Sequence, residues 1–284
     1  MIASTRQLWR SRGRRIGQAA LAVALIATAA LALSAWAAPG DAYAGYATLR
    51  HAPSGYTRLM WNPQNHSLAV SMWLTGLAPN SVHPAHIHSG DCGNTGGIVY
   101  SLPMVYANSS GNASVATTIW GVPGGIPHYG WDINVHNGPG LGTADQYEPI
   151  LCGNIYNGDT YPLDYQYAGL YLGPTTAANQ SAWGNAQLWM SGSDLMVRLQ
   201  VGGLAPYSVH AAHIHSGSCR WQGGVIYPLK NVVADAYGYS DETTVITGVG
   251  GIPYSGWYVN VHNSTYLSTQ TGFDPIACGN VYPA

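Results

Sequence analysis

A histidine pattern that occurs twice constrains this chain of 284 residues more than any other feature. Each copy consists of an HxxHIH motif and a later NVHN motif, at residues 83–88 and 134–137 and again at residues 210–215 and 260–263. The interval between corresponding histidines is nearly constant, since His86 and His213 are 127 residues apart. This interval is far longer than the roughly 20 to 50 residues of a solenoid unit. The sequence therefore predicts two copies of a whole domain.

The starts of the two copies are visible as a Tyr-Ala-Gly sequence at residues 43–45 and again at residues 167–169. We predict domains over residues 43–156 and 167–284, joined by a short connector. The preceding segment is different, because five arginines precede an apolar run over residues 19–33 that Ala35-Trp36-Ala37 closes. This order predicts a secretory signal peptide over residues 1–37. An uncleaved membrane anchor is the alternative, since the extended run reaches the roughly 20 residues that span a bilayer.

The chain after the predicted signal peptide is acidic. Five basic residues stand against twelve acidic ones, a net charge of −7, so we expect no nucleic-acid partner. The four cysteines allow three connectivities, and the duplication favours Cys92 with Cys152 and Cys219 with Cys278. Paired cysteines behind a signal peptide predict a secreted, cell-surface or periplasmic protein. The membrane is involved only if the N-terminal segment stays uncleaved.

The local sequence predicts strands. Apolar residues alternate over residues 68–74 and 195–201, and each run is soon followed by Gly-Leu-Ala-Pro, a turn signal. The 36 glycines and 17 prolines interrupt any long helical window. We therefore predict an all-β chain, with an antiparallel β-sandwich or flattened barrel of about seven or eight strands in each copy.

Strand alternation predicts where the histidines point. Residues two apart share a face of a strand, so His86 and His88 lie outside if Ile87 faces the core. His136 points outward by the same argument, whereas His83 lies on the core side as a structural, hydrogen-bonding residue. Clustered imidazoles are typical of transition-metal sites. The second copy has the same arrangement, with His213, His215 and His262 as candidate ligands and His210 as the structural residue.

These motifs carry a family resemblance. HxxHxHSG(D/S)C followed by NVH and CGN resembles the copper/zinc superoxide dismutase pattern. The sequence resembles still more closely the CHRD (chordin-type) domain, through residues 212–217, 223–229 and 256–262. This resemblance implies two tandem Greek-key β-sandwich domains of the superoxide dismutase-like kind. It makes copper ligands of the two histidine sets His86, His88, His136 and His213, His215, His262.

The sequence also departs from the dismutase pattern. Ile98 and Val225 occupy the positions of the metal-bridging histidine, the zinc ligands that should follow are absent, and Pro149 and Pro275 replace the guiding arginine. A negative chain without that cation lacks electrostatic steering of an anion. We therefore expect an exported protein that binds copper at three histidines in each copy without established catalysis. The missing bridging histidine, zinc ligands and arginine argue against an enzyme. The alternatives are a metal-free structural or adhesion module that binds a cell-wall polymer or an extracellular protein, and a copper-only dismutase-like enzyme.

Overall fold

The computed structural model describes residues 42–158 and 164–284, which are almost entirely β-structure. The all-β prediction is confirmed. The predicted signal peptide over residues 1–37 lies outside the described residues. No helix in the described ranges is long and apolar enough to cross a membrane.

The strands alternate buried and exposed residues because their sequences alternate apolar and polar ones. In the first half of the chain the elements are β1 (Ala44–His51), β2 (Ser54–Asn62), β3 (Ser67–Thr75), β4 (Val82–His83), β5 (Ala85–Asp91), β6 (Asn94–Ser101), β7 (Val105–Tyr106), β8 (Ala113–Ile119), β9 (Trp131–His136), α1 (Ala144–Tyr147) and β10 (Pro149–Ile155). In the second half they are β11 (Gln166–Leu172), β12 (Trp183–Ser191), β13 (Asp194–Gly202), β14 (Val209–His210), β15 (Ala212–Gly217), β16 (Gln222–Pro228), β17 (Val232–Val233), β18 (Ser240–Ile246), β19 (Trp257–His262), α2 (Gln270–Phe273), β20 (Pro275–Asn280) and β21 (Tyr282–Pro283).

The strands form two β-sandwiches, each around its own hydrophobic core. The first sandwich packs the sheet β11-β2-β3-β8 against the sheet β10-β9-β5-β6. The second sandwich is one curled sheet in the order β16-β15-β19-β20-β1-β12-β13-β18, with β21 beside β1. Eight main strands in each sandwich agree with the predicted seven or eight. Short pairs of two-residue strands, β4 with β7 and β14 with β17, lie at the margins.

The two sandwiches exchange one strand each. β1 pairs with β12 along six residues and with β20 at its end, so Ala47 and Leu49 lie in the second core. Conversely, β11 pairs with β2 along its full length, and its Ala168 and Leu170 lie in the first core. Sheet membership therefore does not follow chain order. The domain bounds 43–156 and 167–284 stay a prediction, and these two strand pairings cross them.

One disulfide cross-links each sandwich. Cys92 bonds to Cys152 with a Cα–Cα distance of 5.7 Å, and Cys219 bonds to Cys278 at 5.9 Å. This is the connectivity that the duplication favoured, so the prediction of two disulfides is confirmed. Each disulfide closes a loop of about 60 residues, which stabilises the fold by about 4 kcal/mol on the chain-entropy model. Two disulfides and no free cysteine among the described residues fit an oxidising, extracellular environment.

Candidate metal centre

The first histidine cluster lies on the face of the β10-β9-β5-β6 sheet that is turned away from the core. Ile87 is fully buried in the first core, so the pleat places His86 and His88 on the opposite face. β9 pairs with β5 and brings His136 beside them. The ring centroids are 5.2 to 5.8 Å apart, and one nitrogen of each ring lies within 4.8 Å of the others. The structure thus brings the three predicted ligands together.

The second cluster repeats this geometry. β15 and β19 are antiparallel neighbours that carry His213, His215 and His262. Their ring centroids are 5.2 to 5.9 Å apart, and their candidate ligand nitrogens also lie within 4.8 Å of one another.

The first cluster is buried, and the second is buried except for His213, which is partly exposed. Strand parity predicted an outer-wall position for both. His88 and His136 are each 1 % exposed, and His86 is 7 % exposed. Parity gives the correct face, but it does not show what covers that face. The segment that ends in α1 covers the first cluster, since the Tyr147 ring lies 5.0 Å from the His136 ring. In the second cluster Phe273 of α2 takes the same place, 4.9 Å from His262.

Backbone carbonyls fix the tautomer of two histidines in the first cluster. His88 Nδ1 is 3.0 Å from the Gly96 carbonyl oxygen, and His136 Nδ1 is 2.6 Å from that of Tyr147. A carbonyl oxygen only accepts, so each Nδ1 carries the proton and donates it, and each Nε2 keeps its lone pair. Both Nε2 atoms are buried without a partner, as is Nδ1 of His86. The cluster therefore presents three nitrogens that no protein group satisfies.

The second cluster uses the same three atoms. His215 Nδ1 donates to the Gly223 carbonyl at 3.1 Å and His262 Nδ1 donates to that of Phe273 at 2.6 Å. The Nε2 atoms of these two residues and Nδ1 of His213 are buried and unpartnered. An unsatisfied buried polar atom costs about 1–3 kcal/mol, and both copies keep three of them at equivalent positions.

Comparison with protein families adds to this geometry. Residues 169–268 match the CHRD domain. The matched segment contains all three histidines of the second cluster and Cys219, and it supports a CHRD-type domain over these residues. CHRD domains are typically extracellular β-sandwich modules, in agreement with the two disulfides. No curated protein is significantly similar to the chain.

The groups that hold the histidine rings of both clusters were not predicted from the sequence. These groups are backbone carbonyls, and the signal that marks two of them is a Gly-Gly pair at residues 96–97 and 223–224. A side chain at residue 96 would collide with Ser89, and one at residue 223 would collide with Ser216. Glycine lets the strands approach closely beside the register shift at His88 and at His215. Such irregularities commonly aim a side chain at a site.

The two structural histidines hydrogen-bond to the backbone of one candidate ligand in each cluster. His83 is fully buried, and its Nδ1 donates to the carbonyl oxygen of His136 at 2.8 Å, while Ser81 Oγ lies 2.7 Å from its Nε2. His210 makes the equivalent bonds in the CHRD-matching segment, to the His262 carbonyl at 2.9 Å and to Ser208 Oγ at 2.8 Å. Both residues lie beside a candidate ligand and are not part of either three-nitrogen cluster.

Burial disfavours the protonated form of several clustered imidazoles. Loss of solvent, followed by repulsion from His136 and His88, lowers the pKa of His86 to about 4. Burial likewise lowers the pKa of His262 to about 4, and it lowers the pKa values of His136 and His213. Metals bind deprotonated imidazole. These rings therefore need not release a proton at pH 7 before a metal ion binds.

The two clusters differ in the residue that pairs with His88 or His215 on the neighbouring strand. Asp132 is buried opposite His88, within 3.1 Å of Thr95 Oγ1, and burial raises its pKa. In the CHRD-matching segment the same place holds Tyr258, whose ring stacks on His215 with centroids 5.0 Å apart. Asp132 also lies near the sulfurs of Cys92 and Cys152. That group is not a metal site, because a disulfide offers no thiolate.

Proposed function

We propose that this protein is an exported β-sandwich protein that binds one copper ion in each histidine cluster. The observation that carries the proposal is the recurring set of three buried, unpartnered nitrogens. His86, His88 and His136 would hold the first ion, and His213, His215 and His262 the second.

The donor set fits copper. Three neutral imidazoles leave room for a further ligand, and divalent affinity for nitrogen donors generally favours copper over zinc. The carbonyls of Gly96 and Tyr147 orient two of the rings and increase their basicity, as hydrogen-bond acceptors beside metal-binding histidines do. A bound copper ion would supply a centre that can change oxidation state, while the chain supplies oriented lone pairs and excludes water.

The residues around the clusters favour binding over dismutase turnover. Pro149 pairs directly with His136 and Pro275 with His262, at the positions where the dismutase pattern has an arginine. A proline carries no charge, so it cannot attract superoxide as that arginine does. Ile98, at the bridging-histidine position, is 47 % exposed and has no metal-binding atom. We therefore propose storage, transport or structural use of the ion.

Copper content tests the proposal. We expect the wild type to bind two copper ions per chain, His86→Ala or His213→Ala to bind one, and the double variant to bind none, because each change removes one of three donors. Copper is measured by atomic absorption after loading and gel filtration. His66→Asn, which changes an exposed turn histidine outside both clusters, is the matched control and should bind two. No copper in the wild type would overturn the proposal, and superoxide decay no faster than buffer would exclude turnover.

Adhesion to a cell-wall polymer is the second candidate, and a row of aromatic residues favours it. Tyr171, Tyr56 and Trp73 are cross-strand neighbours on the outer face of the β11-β2-β3-β8 sheet. Tyr171 is 82 % exposed and Trp73 is 46 % exposed. A side chain at Gly169 would collide with the Tyr56 hydroxyl, so glycine there leaves room for the ring. Exposed aromatic rings of this kind are typical of interfaces.

Retention on insoluble polymer tests this candidate. We expect metal-free protein to bind peptidoglycan or cellulose, and the variant with Tyr171→Ala and Trp73→Ala to bind roughly tenfold more weakly, since aromatic contacts dominate such interfaces. Trp183→Ala removes a 58 % exposed tryptophan of the second sandwich and should leave binding unchanged. Equal retention of all three proteins would exclude the aromatic row as the binding face.

A further inference from the structure

An open cleft lies at the place where the chain passes from the second sandwich into the first. Its volume is about 460 Å³, within the roughly 300–1,000 Å³ of small-molecule sites. β1 and β20 of the second sandwich form one wall, and Ser54 and Thr75 of the first sandwich contribute to the other. Both histidine clusters lie elsewhere, so the cleft is a separate feature.

Two arginines concentrate positive charge in this cleft. Arg50 pairs with Cys278 across the β1–β20 ladder, Cys278 is disulfide-bonded to Cys219, and Arg220 follows Cys219 directly. The disulfide therefore holds the two guanidinium-bearing residues near each other. Both arginines are exposed, and the Arg220 guanidinium lies 5.8 Å from the Trp221 ring centroid.

Within the described part of the chain, neither guanidinium has a carboxylate partner, and no aspartate or glutamate lines the cleft. The ion pair found in residues 42–158 and 164–284 joins Arg198 to Asp241 and involves neither of them. Only five basic residues follow residue 37, against twelve acidic ones, so two of five cations meet in one cleft of an acidic chain. An arginine fork matches a carboxylate in geometry as well as charge.

The first sandwich lacks this arrangement. The residue after Cys92 is Gly93, where Arg220 follows Cys219. Likewise Gly173 bridges to Cys152, as Arg50 pairs with Cys278. Both arginines are therefore present at only one of two otherwise similar disulfides, and the fold itself does not require them.

The remaining lining favours a hydroxylated ligand. Tyr46 and Tyr282 are about half exposed, with ring centroids 6.2 Å apart, and Ser54 and Thr75 add hydroxyl groups. Phenol rings pack against the flat faces of a sugar, and hydroxyls exchange hydrogen bonds with it. The geometry points to a site for a sugar acid, in which Arg50 and Arg220 bind the carboxylate and the tyrosines contact the ring.

Calorimetry on metal-free protein at pH 7 and low salt tests this site with galacturonate, trigalacturonate and galactose. We expect galacturonate to bind, and Arg220→Gln or Arg50→Gln to weaken its binding roughly ten- to a hundredfold, the effect of losing a hydrogen bond to a charged group. Galactose, which lacks the carboxylate, should bind as weakly as the variants do. Tighter binding of trigalacturonate would identify a polymer as the source of the acid, and equal binding a free sugar acid; both results support the site.

The matched control is Arg58→Gln, which removes an exposed arginine of β2 that does not line the cleft. Its galacturonate affinity should equal that of the wild type. The inference is wrong if galacturonate does not bind, if galactose binds as tightly as galacturonate, or if Arg58→Gln weakens binding as much as Arg220→Gln. Copper content of the arginine variants should stay at the wild-type value, which separates failure of this site from failure of the metal proposal and shows that the variants fold.

Discussion

Leu49→Ala should lower the free energy of unfolding by about 2 to 5 kcal/mol, the usual cost of emptying a fully buried leucine site. Leu49 lies in β1, at the start of the described chain, yet its side chain is 1 % exposed within the core of the second sandwich. We therefore expect the strands that lose protection to be β12 and β20, its neighbours in the sheet. Urea unfolding gives the magnitude, and amide hydrogen exchange shows which strands open more readily.

Leu172→Ala is the matched variant, because Leu172 lies in the exchanged strand β11 and is buried in the first core. It should cost a similar free energy and loosen β2, to which β11 is paired. Faster exchange in β2 and β3 after Leu49→Ala, with β12 unchanged, would show that each half of the chain folds on its own strands.

This strand exchange could not be predicted from the sequence. β1 and β11 both alternate buried and exposed residues in the same way, so each pattern fits the edge of either sandwich. Alternation identifies a strand and its inner face, but it does not select the partner. Only Ala52 and Pro53 separate β1 from β2, which would suggest a hairpin, whereas these strands lie in different sandwiches. The choice depends on packing between residues far apart in sequence.

The candidate site was more predictable than the strand exchange. The identities of the clustered histidines follow from two periodicities, the pleat of β5 and the interval between the copies, and the structure does bring each set together. The burial of His136 could not be predicted, because it depends on Tyr147, eleven residues later, closing over the ring. The same limit applies to Asp132, whose position opposite His88 is a matter of register between β5 and β9.

The pH dependence of stability should carry a contribution from His51, which lies outside both histidine clusters. Its Nε2 donates to the Ile150 carbonyl at 3.0 Å, and burial lowers its pKa from 6.5 to about 4. Above pH 6.5 the ring is neutral in the folded and the unfolded chain, and its contribution to stability is complete. Between pH 6.5 and 4 only the unfolded chain takes up the proton, so stability falls as the pH falls. The difference in pKa corresponds to about 3 kcal/mol at most.

His51→Gln isolates this contribution, because glutamine still offers an N–H to the Ile150 carbonyl but does not titrate. Other buried histidines, such as His83 with its pKa lowered to about 4, give both proteins a decline of stability towards acid. We therefore expect urea unfolding in the presence of EDTA to show a wild-type curve that falls about 3 kcal/mol further between pH 6.5 and 4 than the curve of His51→Gln. Parallel curves for wild type and His51→Gln would mean that His51 takes up its proton equally well in the folded chain, and that the bond to Ile150 does not depend on a neutral ring.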